Sequence, residues 1–76
     1  MDEILFNDIY DKYVNIVWRT AKYYSENETD ADEITQLTFV NLLISYEKIR
    51  NKNAIESWLR TTAYRLACSQ MRRRKL

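Results

Sequence analysis

The chain has 76 residues, 46% of them hydrophobic and 30% charged, with no glycine, proline or histidine, one cysteine and a formal charge of +1. That length holds one domain, residues 1–76, with a modest core, because so small a chain buries only roughly 60% of its unfolded surface. The balance excludes a disordered chain. The missing Gly and Pro argue against a sheet protein with tight turns, and no run approaches the ~20 apolar residues of a membrane span. The expected fold is all-α, a compact three-helix bundle.

The first helix is expected from Asp2 to Tyr24. Phe6, Ile9, Tyr10, Tyr13, Ile16, Val17, Ala21 and Tyr24 recur at three- and four-residue steps and make one apolar stripe. The polar run Ser25 to Thr29 reads as a turn. Thr29 is then the expected N-cap, with Asp32 three residues on as its capping-box partner.

The second helix is expected from Asp30 to Tyr46, and it has too many apolar residues for one stripe. Thr35, Thr38, Phe39, Leu42 and Tyr46 share one face. Glu33, Gln36, Leu37, Val40 and Ile44 share another. A three-helix domain covers only one side of this helix completely. The second face either stays exposed as a contact surface or widens the core, and the pattern alone leaves both open. Its spacing of one acid, one amide and two hydrophobes suits a partner helix that carries bases and apolar side chains. It does not suit DNA, because Glu33 would face phosphates.

Glu47 to Asn53 is a polar, basic connection. Asn53 is the expected N-cap of a third helix, with Glu56 at the matching third position, and that helix is expected from Ala54 to Arg74. Ile55, Trp58, Leu59, Thr62, Ala63, Leu66, Ala67 and Met71 form its core stripe. Arg60, Thr61, Tyr64, Arg65, Cys68 and Arg72 fall on its outer face.

The small net charge hides a division. Residues 1–33 carry a net −6 and residues 34–76 a net +7, which suggests two different partners, one of them nucleic acid. Arg50, Lys52, Arg60, Arg65 and the run Arg72 to Lys75 form the basic surface, and Tyr46, Trp58 and Tyr64 stand among them. Aromatic rings stack on unpaired bases at about 1–3 kcal/mol each while Lys and Arg follow phosphates. A solvated helix face whose last-turn bases complement the dipole is the plainer alternative. Trp58 also fits the core stripe, whereas Tyr64 lies outward.

Catalysis is not expected. Without histidine, with Cys68 alone and without a glycine-rich loop, the usual metal, nucleophile and phosphate-loop sites cannot be assembled. Asp30, Asp32 and Glu33 at a helix start serve the dipole more readily than acid–base chemistry. No cofactor is expected. The lone thiol and the acidic, non-secretory N-terminus fit a cytoplasmic chain.

Three segments resemble region two of the bacterial sigma factors, specifically the extracytoplasmic-function (ECF) group. These are Phe6-x-x-x-Tyr10-x-x-Tyr13-x-x-x-Val17, then Asp30-Ala-Asp-Glu-Ile-Thr-Gln-Leu-Thr-Phe39, then Ser57-Trp-Leu-Arg-Thr-Thr-Ala-Tyr-Arg-Leu-Ala67 ending in Arg72-Arg-Arg74. The resemblance implies that Asp32, Glu33, Gln36, Leu37 and Val40 bind the clamp helices of the largest subunit of core RNA polymerase. It implies that Arg50, Lys52, Asn53, Trp58, Arg60, Thr61, Tyr64, Arg65, Arg72, Arg73 and Arg74 recognise and melt the minus-ten element of promoter DNA. An anti-sigma factor is a further partner class that it admits. Leu37 stands where the family commonly has an acid, Arg65 where it often has Asn, Ser69 where it often has Asp, and Ile55 where it often has an aromatic. The group usually continues into a helix-turn-helix domain that these residues do not match.

Two other classes stay open. A stand-alone nucleic-acid-binding regulator would bind DNA without polymerase and tolerate change at Glu33. A pure protein-interaction module, such as an anti-sigma target, would be indifferent to charge reversal at Arg60 and Arg65.

Overall fold

A computed structural model describes residues 1–75. It consists of three helices, α1 (Glu3–Tyr23), α2 (Glu28–Ser45) and α3 (Ile55–Lys75), with 3-10 turns at Tyr46–Lys48 and Lys52–Ala54 between the last two. No strand occurs among the described residues. The three-helix expectation holds, and each helix packs on both others.

Local chemistry sets each start. Asp2 caps α1, its carboxylate accepting from the Leu5 N–H at 2.8 Å, and the acid at Glu3 complements the dipole. The start of α2 corrects the sequence expectation. Asn27, not Thr29, is the N-cap: its backbone is extended and its side-chain oxygen accepts from the Asp30 N–H at 2.9 Å. The helix so begun has Glu28 and Asp30 in its first turn, where acids complement the dipole. Asp32 is thereby left free of capping. It accepts instead from the Trp18 indole N–H of α1 at 2.8 Å.

The entry to α3 differs in the same way. Asn51 rather than Asn53 makes the capping contact, accepting from the Asn53 N–H at 2.9 Å. A 3-10 turn then leads straight into the helix. Lys52 closes the connection from inside. Its ammonium donates to the Tyr46 carbonyl at 2.5 Å and the Ile49 carbonyl at 2.6 Å, and lies 4.2 Å from the Tyr46 ring centroid. These carbonyls lie just past the end of α2, and that of Tyr46 also accepts from the Ile49 N–H at 3.1 Å.

The core is built from Val17 and Ala21 of α1, Ala31, Ile34, Phe39 and Leu42 of α2, and Ile55, Leu59, Ala63 and Ala67 of α3. Four of these ten are alanines, which lets the helix backbones approach closely. Full burial of Leu42 or Leu59 contributes about 1.5–3 kcal/mol each. Thr35 and Thr38 are buried too. Their hydroxyls donate to the Ala31 and Ile34 carbonyls one turn back, at 2.8 and 2.7 Å, so neither polar group is left unpaired. Phe39 extends the core toward the start of α1, packing edge-on against Phe6 at 6.2 Å and tilted against Tyr10 at 4.8 Å.

One ion pair ties the first turn of α2 to the last turn of α3. The Arg74 guanidinium donates to both oxygens of the buried Asp30 carboxylate, Nη2 at 2.6 Å from Oδ1, and Glu26 lies 3.8 Å away. Its hydrogen bonds to Arg74 hold the Asp30 carboxyl below its usual value, against the opposing effect of desolvation.

Candidate functional site

Two surfaces remain after the core is formed. The first lies on α2. Its inward face takes Thr35, Thr38, Phe39 and Leu42, so Glu33, Gln36, Leu37 and Val40 are turned to solvent, followed by Leu43 and Ile44. Leu37, Val40, Leu43 and Ile44 are 42–68% exposed, which decides between the two readings of this face: it does not widen the core. Four adjacent hydrophobes beside an acid and an amide form an exposed apolar strip. Asp32 borders it, exposed, with one oxygen held by Trp18. Leu43, three residues after Val40 on the same spacing, joins this face although the sequence expectation did not include it.

The second surface runs from the connection onto α3. Trp58 is half-buried against the core, and it also lines a hollow of about 350 Å³ with Ile49, Asn51, Thr61 and Arg65. The two roles considered for Trp58 are thus compatible in one side chain. Arg50 and Asn53 are exposed on the connection, and Thr61, Tyr64 and Arg65 on α3. Thr61 also borders a larger groove of about 690 Å³ on its other side, with Arg60 and Tyr64 and with Arg19, Tyr23 and Tyr24 of α1. The α1 residues escaped the sequence reading because Tyr24 was assigned to a core stripe and Arg19 sits in the acidic half. The signal available was the cluster of Arg19, Lys22, Tyr23 and Tyr24 at the end of that half.

The basic residues are not equivalent. Arg65, Arg72 and Arg73 are exposed on α3 and Arg50 on the connection. Arg60 makes an exposed ion pair with Glu56 at 3.1 Å, an i,i+4 contact worth about 0.3–0.5 kcal/mol that a phosphate can displace. Lys52 and Arg74, though exposed, are engaged by partners in the chain itself, the connection carbonyls and Asp30. The Lys75 side chain lies outside the described residues. The Tyr64 hydroxyl is pushed above its usual value, first by hydrogen bonding to Cys68 one turn on, then by charge at Cys68, desolvation and Tyr24, with Arg72 opposing.

Among the described residues, no His, Cys, Asp and Glu group could hold a metal ion, and no helix is long and apolar enough to cross a membrane. No curated protein and no solved structure matches the chain. A protein-family model does: sigma-70 region 2 matches residues 9–76. That match covers α1 from residue 9 on, all of α2 and α3 and both surfaces above, and so the chain belongs to the sigma-70 region 2 family, the helical domain type carried by RNA polymerase sigma factors.

Proposed function

We propose that this domain docks on core RNA polymerase through α2 and engages the minus-ten region of a promoter through the connection and α3, in the manner of an ECF sigma factor in the cytoplasm. The observation that carries the reading is the exposed apolar strip of α2 beside Glu33 and Gln36. It lies in a chain whose family is defined by polymerase partnership. Leu37 and Val40 supply apolar area for the clamp helices of the largest subunit, Glu33 and Asp32 meet their bases, and Gln36 hydrogen-bonds between them. Trp18 fixes the angle of the Asp32 carboxylate.

The DNA-facing residues are Arg50, Asn53, Trp58, Arg60, Thr61, Tyr64, Arg65, Arg72 and Arg73. The arginines follow the backbone of the non-template strand, and Trp58 and Tyr64 offer ring surface to bases as they unpair. Lys52 acts indirectly, by holding the connection in shape. A basic patch alone binds with Kd on the order of 10⁻⁴–10⁻⁶ M. Docking on polymerase raises the local concentration of that patch at the promoter. An anti-sigma protein that covered the α2 strip would switch the domain off.

The test is capture of core RNA polymerase, or of its isolated clamp helices, by the chain. Wild type is expected to bind, and Glu33→Lys and Leu37→Asp to lose more than about tenfold in affinity, as central interface residues do. Circular dichroism should show both variants still folded, since both positions are exposed. Failure of wild type to bind where another sigma domain binds would overturn the docking mechanism.

A further inference from the structure

The groove between the C-terminal half of α1 and the middle of α3 shares Arg60, Thr61 and Tyr64 with the DNA-facing surface, but its α1 wall, Arg19, Tyr23 and Tyr24, belongs to neither surface as proposed. Its volume of about 690 Å³ falls within the roughly 300–1,000 Å³ of ligand clefts. Its aromatic wall is a run of three tyrosines: the Tyr24 ring lies 4.8 Å from Tyr23 and 4.8 Å from Tyr64, both near edge-to-face. Tyr23 is 81% exposed, a large flat ring in water. Arg19 and Arg60 flank the rings from opposite helices.

This combination narrows the ligand. An apolar helix would gain from the tyrosines but would have to desolvate two guanidinium groups. A bare inorganic anion would use the arginines and leave the rings idle. An unpaired nucleotide uses both, its base on a ring and its phosphate on the cations. Thr61 borders this groove and the Trp58 hollow alike, so the two are neighbours on the surface of α3.

We propose that the α1–α3 groove is a second base-holding site, which takes one unpaired nucleotide of single-stranded DNA. Its base lies on Tyr23 and Tyr24, and its phosphates are held by Arg19 and Arg60. The site rests on the reading of α3 as the DNA-facing helix and extends that surface onto α1.

Amide NMR on the full chain tests it, with a short oligothymidylate and an abasic oligomer of equal length as probes, at concentrations above the roughly 10⁻⁴ M of non-specific binding. The oligothymidylate is expected to shift residues 19–24 together with residues 58–65, and to bind more tightly than the abasic strand. Tyr23→Ala and Arg19→Ala should each weaken binding, the first by about tenfold, within the range for one lost stacking platform. Both positions are exposed, so both variants keep the fold. Shifts confined to residues 50–65, with α1 silent, would overturn the groove while leaving the DNA-facing role of α3 in place. Equal binding of the abasic strand would reduce the groove to a charge patch and overturn it. Absence of shifts on either helix would overturn both the groove and direct capture of single strands by α3.

Discussion

Asp30 shows how much the role of a residue depends on what lies opposite it. In the sequence it is one of several acids at a helix start, and Arg74 is one of a run of terminal bases. In the structure they form a two-bonded ion pair with the carboxylate buried. Removal of Arg74 would strand the buried carboxylate, and removal of Asp30 leaves Arg74 only solvent and the longer contact to Glu26. Because the Asp30 carboxyl is held below its usual value near 3.8, its contribution is complete above that value and is lost as pH falls through the lower, folded-state one. Asp30→Asn is therefore expected to lower the melting temperature by several degrees at neutral pH. The gap from wild type should close as pH drops below about 4, which thermal denaturation followed by circular dichroism reads directly. Lys52 and Trp58 make the same point. Both are in the connection and α3 start, yet Lys52 is committed to two carbonyls while Trp58 keeps one side for a ligand.

At the scale of the element, α2 is the informative case. It is apolar on nearly all sides, so its pattern could not say which face is buried. Packing chose the Thr35, Thr38, Phe39 and Leu42 face, because there threonine hydroxyls are satisfied within the helix and Phe39 reaches the rings of α1. The two faces should answer very differently to substitution. Leu42→Ala is expected to cost about 2–5 kcal/mol through lost burial and the cavity left behind. Ile44→Gln, two residues on and exposed, should change stability by less than about 0.5 kcal/mol while weakening polymerase capture. Urea denaturation and the capture assay together check both halves. Helix boundaries were less legible than helix existence. Thr29 and Asn53 are both acceptable caps, and Asn27 and Asn51 won because their backbones are extended where the chain turns into the helix.

Across the whole molecule, the charge division maps onto the two surfaces only in part. The boundary at residue 33 cuts through the α2 strip, with Asp32 and Glu33 on the acidic side and Gln36 to Ile44 on the other, and the acidic half also lends Arg19 to the groove against α3. The basic half supplies α3, but Arg74 returns to neutralise Asp30. Single-strand binding should therefore depend on salt through the arginines not already paired with Asp30. Each phosphate contact contributes about −0.7 to the slope of log K against log salt. Arg65→Ala is expected to make that slope shallower by about 0.7. Arg74→Ala should leave the slope unchanged and lower the melting temperature instead. A titration across salt concentrations, paired with melting curves, separates the two arginines.

The sequence by itself determined the class and the parts. Three helices followed from apolar residues at three- and four-residue steps with no Gly or Pro to interrupt them. The two kinds of surface followed from charge and spacing, and the family followed from motifs in order. These are properties of a chain read along its length. Only the tertiary structure decided which face of α2 remains in water, which cations are already spent on the fold, and that Tyr23 and Tyr24 stand across from Tyr64. Burial and pairing are relations between residues far apart in the chain: 44 positions separate Asp30 from Arg74, and no local pattern encodes that distance.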